Sequence, residues 1–182
     1  MARWEPLLEE VVRERYPRLV AYALHLVGER AAAEDLVQEA LVSTFAGRAR
    51  FSSAAEAESY VRRSVASRYI DQGRRRTAEG AAWRRVGSEP VRDVEPVVPG
   101  LTSEVERALA ALSPRVRACV VLRHMDDLSV RETARVLKLS EGAVKRYVSD
   151  GVAALNAALG TTSSTEPHVV VETSGRTVRR GA

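Results

Sequence analysis

Apolar residues recur at helical spacing in the first 76 positions of the chain, in three successive segments. The first segment runs from Leu7 to Val27, is interrupted at Pro17 and ends at Gly28. The second, RAAAEDLVQEALVSTF, places apolar side chains on one face and polar side chains on the other. Because residues three or four apart share a helix face, both segments predict amphipathic helices.

The third segment, VRRSVASRYIDQGRRR, combines an apolar stripe with a cationic face. Ser53 and Glu56 precede it at the spacing of a capping box, so the helix is predicted to begin near Ala54. The stripe contains Val61, Val65, Ala66, Tyr69 and Ile70. The opposite face contains Arg63, Ser64, Ser67, Asp71, Arg74 and Arg75. A solvated surface helix is an alternative explanation that this pattern alone leaves open.

Periodicity is lost from Thr77 to Gly100, where Pro90, Pro96 and Pro99 accompany several glycines. This composition predicts a flexible linker that spans roughly 25–30 Å as a coil. From Thr161 onward the chain is polar again, which predicts a disordered tail.

The segment between the linker and the tail predicts a helix-turn-helix. Ser113 precedes a proline, as at a helix start, and Ser129 to Glu132 is a second capping box. The three residues KLS separate the short helix that follows from a longer helix, which Ser140 can cap. The exposed front of the longer helix contains Glu141, Gly142, Lys145, Arg146 and Ser149. A generic helical hairpin with a solvated face is the alternative.

These patterns predict an all-α chain of two small helical domains joined by a flexible linker. The predicted boundaries are 1–76 for the first domain, 77–100 for the linker, 101–160 for the helix-turn-helix domain and 161–182 for the tail. The hydrophobic content of 45% is enough for each domain to bury a core.

Charge is distributed unevenly along the chain, although the net charge is only +4. Residues 1–59 carry 7 arginines and 10 carboxylates, a net of −3, whereas residues 60–85 carry 8 arginines and 2 carboxylates, a net of +6. A basic patch beside an acidic region is typical of a protein that binds a phosphate-bearing partner on one side and a protein on the other.

Several function classes find no support in the sequence. The single cysteine, Cys119, lies in an apolar run and is predicted to be buried and inert. His25, His124 and His168 have no ligand-spaced partners, so no metal site or other cofactor is expected. No apolar run approaches 18 residues and no leader is visible, which predicts a cytoplasmic protein without membrane insertion.

Three stretches together resemble the extracytoplasmic-function sigma factors of bacterial RNA polymerase, most closely the SigE-like group of actinobacteria. They are AEDLVQEAL, the basic helix ending in YIDQGRRR, and LSPRVRACVVLRHMDDLSVRETARVLKLSEGAVKRYV. The resemblance covers about Arg3 to Leu159 in two blocks separated by a linker. A helix-turn-helix alone would be weak support, whereas this ordered combination is specific.

The resemblance implies partners and residue roles. The partners are core RNA polymerase, through its β′ and β subunits, promoter DNA and an anti-sigma factor. Binding to the polymerase is implied for Asp35, Gln38 and Glu39. Contact with the unpaired strand of the downstream (−10) element is implied for Phe51, Ser52, Ser53, Arg63, Ser67, Asp71, Arg74 and Arg75. Contact with the duplex upstream (−35) element is implied for Ser140, Glu141, Gly142, Lys145, Arg146 and Ser149.

The sequence also departs from the family pattern. Arg62 falls inside the apolar arc of the basic helix, and Ser67 and Arg68 replace an asparagine and an apolar residue. Lys138 replaces the usual turn glycine, and a left-handed conformation there costs about 1 kcal/mol. Asp150 replaces an arginine, so contact with phosphates should be weakened or redirected.

The predicted function is that of a sigma factor, which binds core polymerase, recognises two promoter elements and helps to open the DNA without catalysis of its own. The alternative is a stand-alone helix-turn-helix regulator, with the first domain serving for dimerisation. A third and remote alternative is that the protein is an enzyme, because the sequence shows no cluster of catalytic residue types.

Overall fold

The computed structural model describes residues 5–46, 51–83 and 103–160, and all of their regular elements are helical. The all-α class predicted from the sequence is confirmed. The predicted tail and most of the predicted linker lie outside the described residues.

The first domain begins with α1 (Glu5–Glu10), which continues through a π-helical turn at Val11–Arg15 into α2 (Tyr16–Val27). Pro17 therefore follows a change from π-helical to α-helical geometry without ending the helical segment. Proline has no N–H to donate within a helix, and here it lies in the first turn of α2. Gly28 ends α2 with a left-handed φ of 78°.

Two further helices, α3 (Arg30–Ala46) and α4 (Ala54–Trp83), complete the first domain. Their apolar faces meet α2 around Leu19, Leu36 and Val61, which are fully buried. The predicted linker boundary is corrected here, because Thr77–Trp83 continue α4 for seven residues. This stretch, TAEGAAW, contains three alanines and no proline, so its intrinsic helix propensity sustains the helix.

The second domain consists of α5 (Ser103–Ala111), α6 (Pro114–His124), α7 (Val130–Leu137) and α8 (Glu141–Leu159). Ser113 precedes α6 with an extended backbone, but its hydroxyl makes no capping hydrogen bond. Cys119 is buried, and burial raises the pKa of its thiol to about 11, so the thiolate is scarce near neutral pH.

The two domains pack against each other and share one apolar core. The buried cluster includes Leu19 and Val61 of the first domain together with Ala118, Leu128 and Val144 of the second. A smaller cluster forms around Leu109, Leu112 and Val120. The sequence predicts that each domain buries its own core, but it does not predict that the two cores join.

Gly151 of α8 packs closely against α6. A Cβ atom at this position would lie 2.4 Å from Val120 Cγ2 and 2.8 Å from Val116 Cγ1, and valine side chains have few rotamers with which to move aside. We expect Gly151→Ala to lower the free energy of unfolding by about 1–3 kcal/mol, as overpacking does.

Gly73→Ala is the matched control, because a Cβ atom there would meet nothing within 4 Å. It should raise the free energy of unfolding by about 0.5–1 kcal/mol, since alanine favours a helix interior more than glycine does. Urea unfolding of the two variants checks the pair. Equal effects would show that α6 and α8 are not closely packed.

Candidate nucleic-acid interface

The predicted polymerase-binding residues form a polar ridge on α3, defined by Asp35, Gln38 and Glu39. All three are exposed, because the opposite face of α3 buries Leu36, Val37 and Ala40 in the core. The Glu39 carboxylate accepts a hydrogen bond of 3.3 Å from Arg68 of α4, which links the ridge to the basic helix.

Val42 continues the polar ridge by one helical turn and is 68% exposed. It lies four residues after Gln38, so the two share a helix face. Val42 was not among the predicted site residues, although an apolar residue in register with three polar ridge residues is a visible signal in the sequence. An exposed valine here adds an apolar contact to a surface that is otherwise polar.

Residues 51–53, directly before α4, are held by hydrogen bonds and aromatic packing. Ser53 Oγ accepts from the N–H of Glu56 at 3.2 Å, as predicted for the cap. The Glu56 carboxylate instead accepts from the N–H and the hydroxyl of Ser52, both at 2.7 Å, and these bonds lower the pKa of Glu56. The predicted capping box is therefore divided between two serines: Ser53 accepts from the backbone of Glu56, and Ser52 donates to the Glu56 side chain.

Phe51 lies half-buried between two aromatic rings. Its ring centroid is 5.8 Å from that of Phe45 and 5.3 Å from that of Tyr60. Tyr60 is exposed at the surface beside the loop, and the sequence analysis missed it because it lies outside the quoted basic stretch. An exposed ring next to an ordered loop can stack an unpaired base.

The structure brings four predicted α4 residues to one open groove of about 690 Å³: Arg63, Ser67, Asp71 and Arg75. The other lining residues are Glu39 and Ser43 of α3, Tyr60, Ser64, Arg68 and Gln72 of α4, and Glu132, Arg135 and Val136 of α7. The groove thus has four arginines and three carboxylates, so its positive charge is largely balanced locally. The fifth predicted residue on α4, Arg74, is not among the lining residues.

Arg74 contacts the turn of the helix-turn-helix. Its guanidinium donates to the Leu137 carbonyl at 3.5 Å and lies 3.6 Å from the Asp71 carboxylate. Asp71 also lies 3.5 Å from the ammonium group of Lys138. Arg74 and Asp71, which are both predicted to bind the unpaired DNA strand, therefore contact the second domain.

The helix-turn-helix is built as its caps predict. Ser129 and Glu132 make the reciprocal bonds of a capping box at the start of α7, and Ser140 Oγ accepts from the N–H of Ala143 at 3.2 Å. Lys138 is left-handed, with φ 54° and ψ 48°, so the turn keeps the backbone conformation that glycine usually provides.

The predicted recognition face of α8 is exposed throughout. It comprises Ser140, Glu141, Gly142, Lys145, Arg146 and Ser149, and Asp150 is exposed beside it. Arg146 lies over the Tyr147 ring at 5.1 Å, and hydrogen bonds from Arg115 and Arg146 lower the pKa of the Tyr147 hydroxyl. Arg115 of α6 thus adds a cation beside the recognition face that the sequence analysis did not identify, since its proximity to α8 depends on the tertiary fold.

Within the described ranges, no group of three or more histidine, cysteine or acidic side chains is placed to hold a metal ion. No helix in this part of the chain is both long enough and apolar enough to cross a bilayer. The candidate functional surfaces are the polar ridge, the groove and the recognition face.

Comparison with known proteins assigns both domains. Residues 11–79 match the family Sigma-70 region 2, and residues 102–155 match the family Sigma-70, region 4. The RNA polymerase sigma-E factor of Streptomyces coelicolor is 31% identical over 152 residues, which cover 81% of this chain and 82% of that protein. The ECF RNA polymerase sigma factor SigM of Mycobacterium tuberculosis is 34% identical over 134 residues, covering 70% of this chain and 64% of SigM.

A solved structure is also similar to the whole fold. It is the sigma factor RpoE in complex with the anti-sigma factor NepR from Bartonella quintana, with a TM-score of 0.61 and 25% identity over 84% of this chain and 95% of that one. The alternative of a stand-alone helix-turn-helix regulator is not favoured, because the first domain matches a polymerase sigma region. This chain belongs to the extracytoplasmic-function sigma factors of bacterial RNA polymerase, in the SigE-like group, and it directs promoter-specific initiation of transcription.

Proposed function

We propose that this sigma factor divides its work among three surfaces. The polar ridge on α3 binds the β′ subunit of core polymerase, and the second domain contacts β. The groove and the loop that precedes α4 hold the unpaired strand of the −10 element. The recognition face of α8 reads the −35 duplex. The residues up to the end of α4 at Trp83 act as one binding domain and residues 101–160 as the other. The segment between them sets the distance over which the two domains can bind.

The observation that carries this proposal is the convergence of Arg63, Ser67, Asp71 and Arg75 on one groove, which is also lined by the exposed ring of Tyr60. Arginines hold phosphates, and an aromatic ring stacks a base once the base has left the duplex. The exposed front of α8 has the dimensions and the cations suited to a major groove.

Further parts of the proposal follow from the family. Sigma factors are non-catalytic initiation factors, and we propose that this chain likewise has no enzymatic activity and needs no cofactor. It acts in the cytoplasm, where core polymerase and promoter DNA are found. An anti-sigma factor holds it inactive; the anti-sigma complex of the structurally similar sigma factor supports this proposal.

Substitutions on the polar ridge test its assigned role. We expect Asp35→Ala and Gln38→Ala each to weaken binding to core polymerase by about tenfold, because contacts at the centre of an interface contribute most of its affinity. Fluorescence anisotropy of the labelled full-length chain, titrated with core polymerase, measures the change.

Glu9→Ala is the control for this test, since Glu9 is an exposed carboxylate on α1, a different helix from the ridge. It should leave affinity for core polymerase unchanged. If all three variants bind core polymerase as the wild type does, the polar ridge is not the docking surface.

A further inference from the structure

Arg68 of α4 is a cation of the groove that the sequence analysis did not assign to DNA. Its side chain is 34% exposed and lines the groove together with Arg63 and Arg75. The family resemblance places an apolar residue at this position, so the family pattern gives no role to a positive charge here. The cation at this point of the groove is therefore a feature of this chain, and its contacts indicate what it does.

Arg68 is held at the groove by the edge of α3. Its Nη1 donates to Glu39 Oε2 at 3.3 Å, although the two residues are 29 positions apart in sequence. The hydroxyl oxygens of Ser43 and Ser64 form a second contact between the same helices, at 3.5 Å. Ser43 lies one turn after Glu39. Ser64 lies one turn before Arg68, so the two contacts are successive rungs between antiparallel helices. This edge of α3 fixes where the Arg68 guanidinium lies.

The ion pair between Arg68 and Glu39 adds little to stability. The Glu39 side chain is 53% exposed, so water and salt weaken the attraction between the two charges. The two helices are held together by their apolar faces, where Val37 of α3 and Val65 of α4 are fully buried. The pair therefore orients the arginine side chain more than it joins the helices.

The Arg68 guanidinium keeps donors for a second anion. A guanidinium has five N–H donors in a planar fork. Within the part of the chain that the structure describes, the bond from Nη1 to Glu39 is the one hydrogen bond that Arg68 makes. The edge formed by Nε and Nη2 is left over, and such an edge binds a phosphate through two parallel hydrogen bonds.

Arg68 also occupies a gap between two cations that the proposed function assigns to phosphates. Arg63 and Arg75 are about 18 Å apart along the axis of α4, since each residue advances a helix by about 1.5 Å. Among the groove-lining residues of α4, Arg68 is the one cation between them. A strand that runs along the groove from one arginine to the other passes Arg68 on the way.

We infer that Arg68 is a further strand-binding residue, which holds a backbone phosphate of the unpaired strand between those held by Arg63 and Arg75, and that Glu39 is its positioning residue. This inference rests on the proposed function of the groove. Glu39 then serves the strand through Arg68, in addition to its place on the polar ridge.

Arg68→Ala tests the contact with phosphate. We expect holoenzyme that contains this variant to bind a fluorescent promoter fragment with a pre-melted −10 bubble about tenfold more weakly than wild-type holoenzyme. The plot of log affinity against log salt concentration should become shallower by about 0.7, the change for one phosphate contact with a single strand. Arg68→Lys keeps the charge and should keep the wild-type slope.

Arg30→Ala is the matched control for Arg68→Ala. Arg30 is an exposed arginine of α3 that pairs with Glu34 at 2.8 Å, and it is not among the residues that line the groove. Its replacement removes the same charge and an ion pair of the same kind. Arg30→Ala should leave the salt slope of binding to the bubble probe unchanged.

Glu39→Gln and Glu39→Ala test the positioning role. Both remove the same charge, but only glutamine keeps a side-chain oxygen that can accept a hydrogen bond from Arg68. With core polymerase in excess, we expect Glu39→Ala to bind the bubble probe about threefold more weakly than Glu39→Gln. In a chain that also carries Arg68→Ala, the two variants should bind the probe equally well.

Two results would overturn the inference. If Arg68→Ala has the affinity and the salt slope of Arg30→Ala, Arg68 holds no phosphate. If Glu39→Gln and Glu39→Ala bind equally well while Arg68 is present, Glu39 does not position it.

The double variant Arg63→Ala/Arg75→Ala, measured on the same probe, separates this inference from the proposed function. If the double variant loses affinity and Arg68→Ala does not, only the inference fails. If neither loses affinity, the role assigned to the groove fails as well.

Discussion

Replacing Lys145 or Arg146 with alanine is expected to lower the affinity of the full-length protein, bound to core polymerase, for a promoter fragment by about 10- to 100-fold. Both side chains project from the exposed face of α8, where each can contact a base edge or a phosphate. A well-formed contact of this kind is worth about 1–3 kcal/mol of discrimination. The loss should be larger at low salt if the contact is mainly to phosphate.

Electrophoretic mobility shifts on a promoter fragment, with core polymerase present in excess, measure this effect. Arg18→Ala is the control, because it removes the same charge from an exposed position on α2. If Arg18→Ala lowers the affinity for the promoter fragment by the same factor, the effect comes from net charge alone. That result would contradict recognition of the −35 element by α8.

Replacing both Arg63 and Arg75 with alanine is expected to reduce open promoter complexes by at least about tenfold while binding to core polymerase is unchanged. Both arginines line the groove, and each one lost removes a cation that can hold a phosphate of the unpaired strand. Permanganate reactivity of unpaired thymines measures opening directly.

The control for this double variant is a promoter that carries a pre-melted bubble at the −10 element. If the two arginines capture the separated strand, the variant should remain defective on the bubble, whereas a defect confined to melting would be rescued. Full activity of the variant on the intact promoter would contradict the role assigned to the groove.

Local features of the second domain could be predicted from the sequence. The Ser129–Glu132 capping box and the Ser140 cap depend on residues within a few positions of each other, and both are present as predicted. The left-handed conformation of Lys138 was raised only through the family resemblance, which places a glycine at this turn position. Short-range chemistry of this kind is encoded in spacing alone.

The packing of the two domains could not be predicted in this way. Arg62 pairs with Asp126, 64 positions away in sequence, so no local pattern reveals the partner. The position of Arg62 inside an apolar arc was visible, but its meaning depends on a contact with another domain. For the same reason, the engagement of Arg74 by the Leu137 carbonyl could not be read from the cationic face of α4.

The boundary of α4 illustrates a different limit. The segment Thr77–Trp83 was assigned to the linker because the apolar stripe fades there, yet the helix continues. Periodicity reports which face of a helix is buried, and it does not mark the residue at which a helix ends. Alanine content was the better guide at this position.

Run-off transcription with purified core polymerase on a pool of promoter fragments tests the central claim most directly. We expect discrete transcripts that appear only when the full-length chain is added, with start sites that share a pair of upstream sequence elements. A folded chain that yields no such transcript from the pool, while the same core polymerase initiates with another sigma factor, would contradict the account.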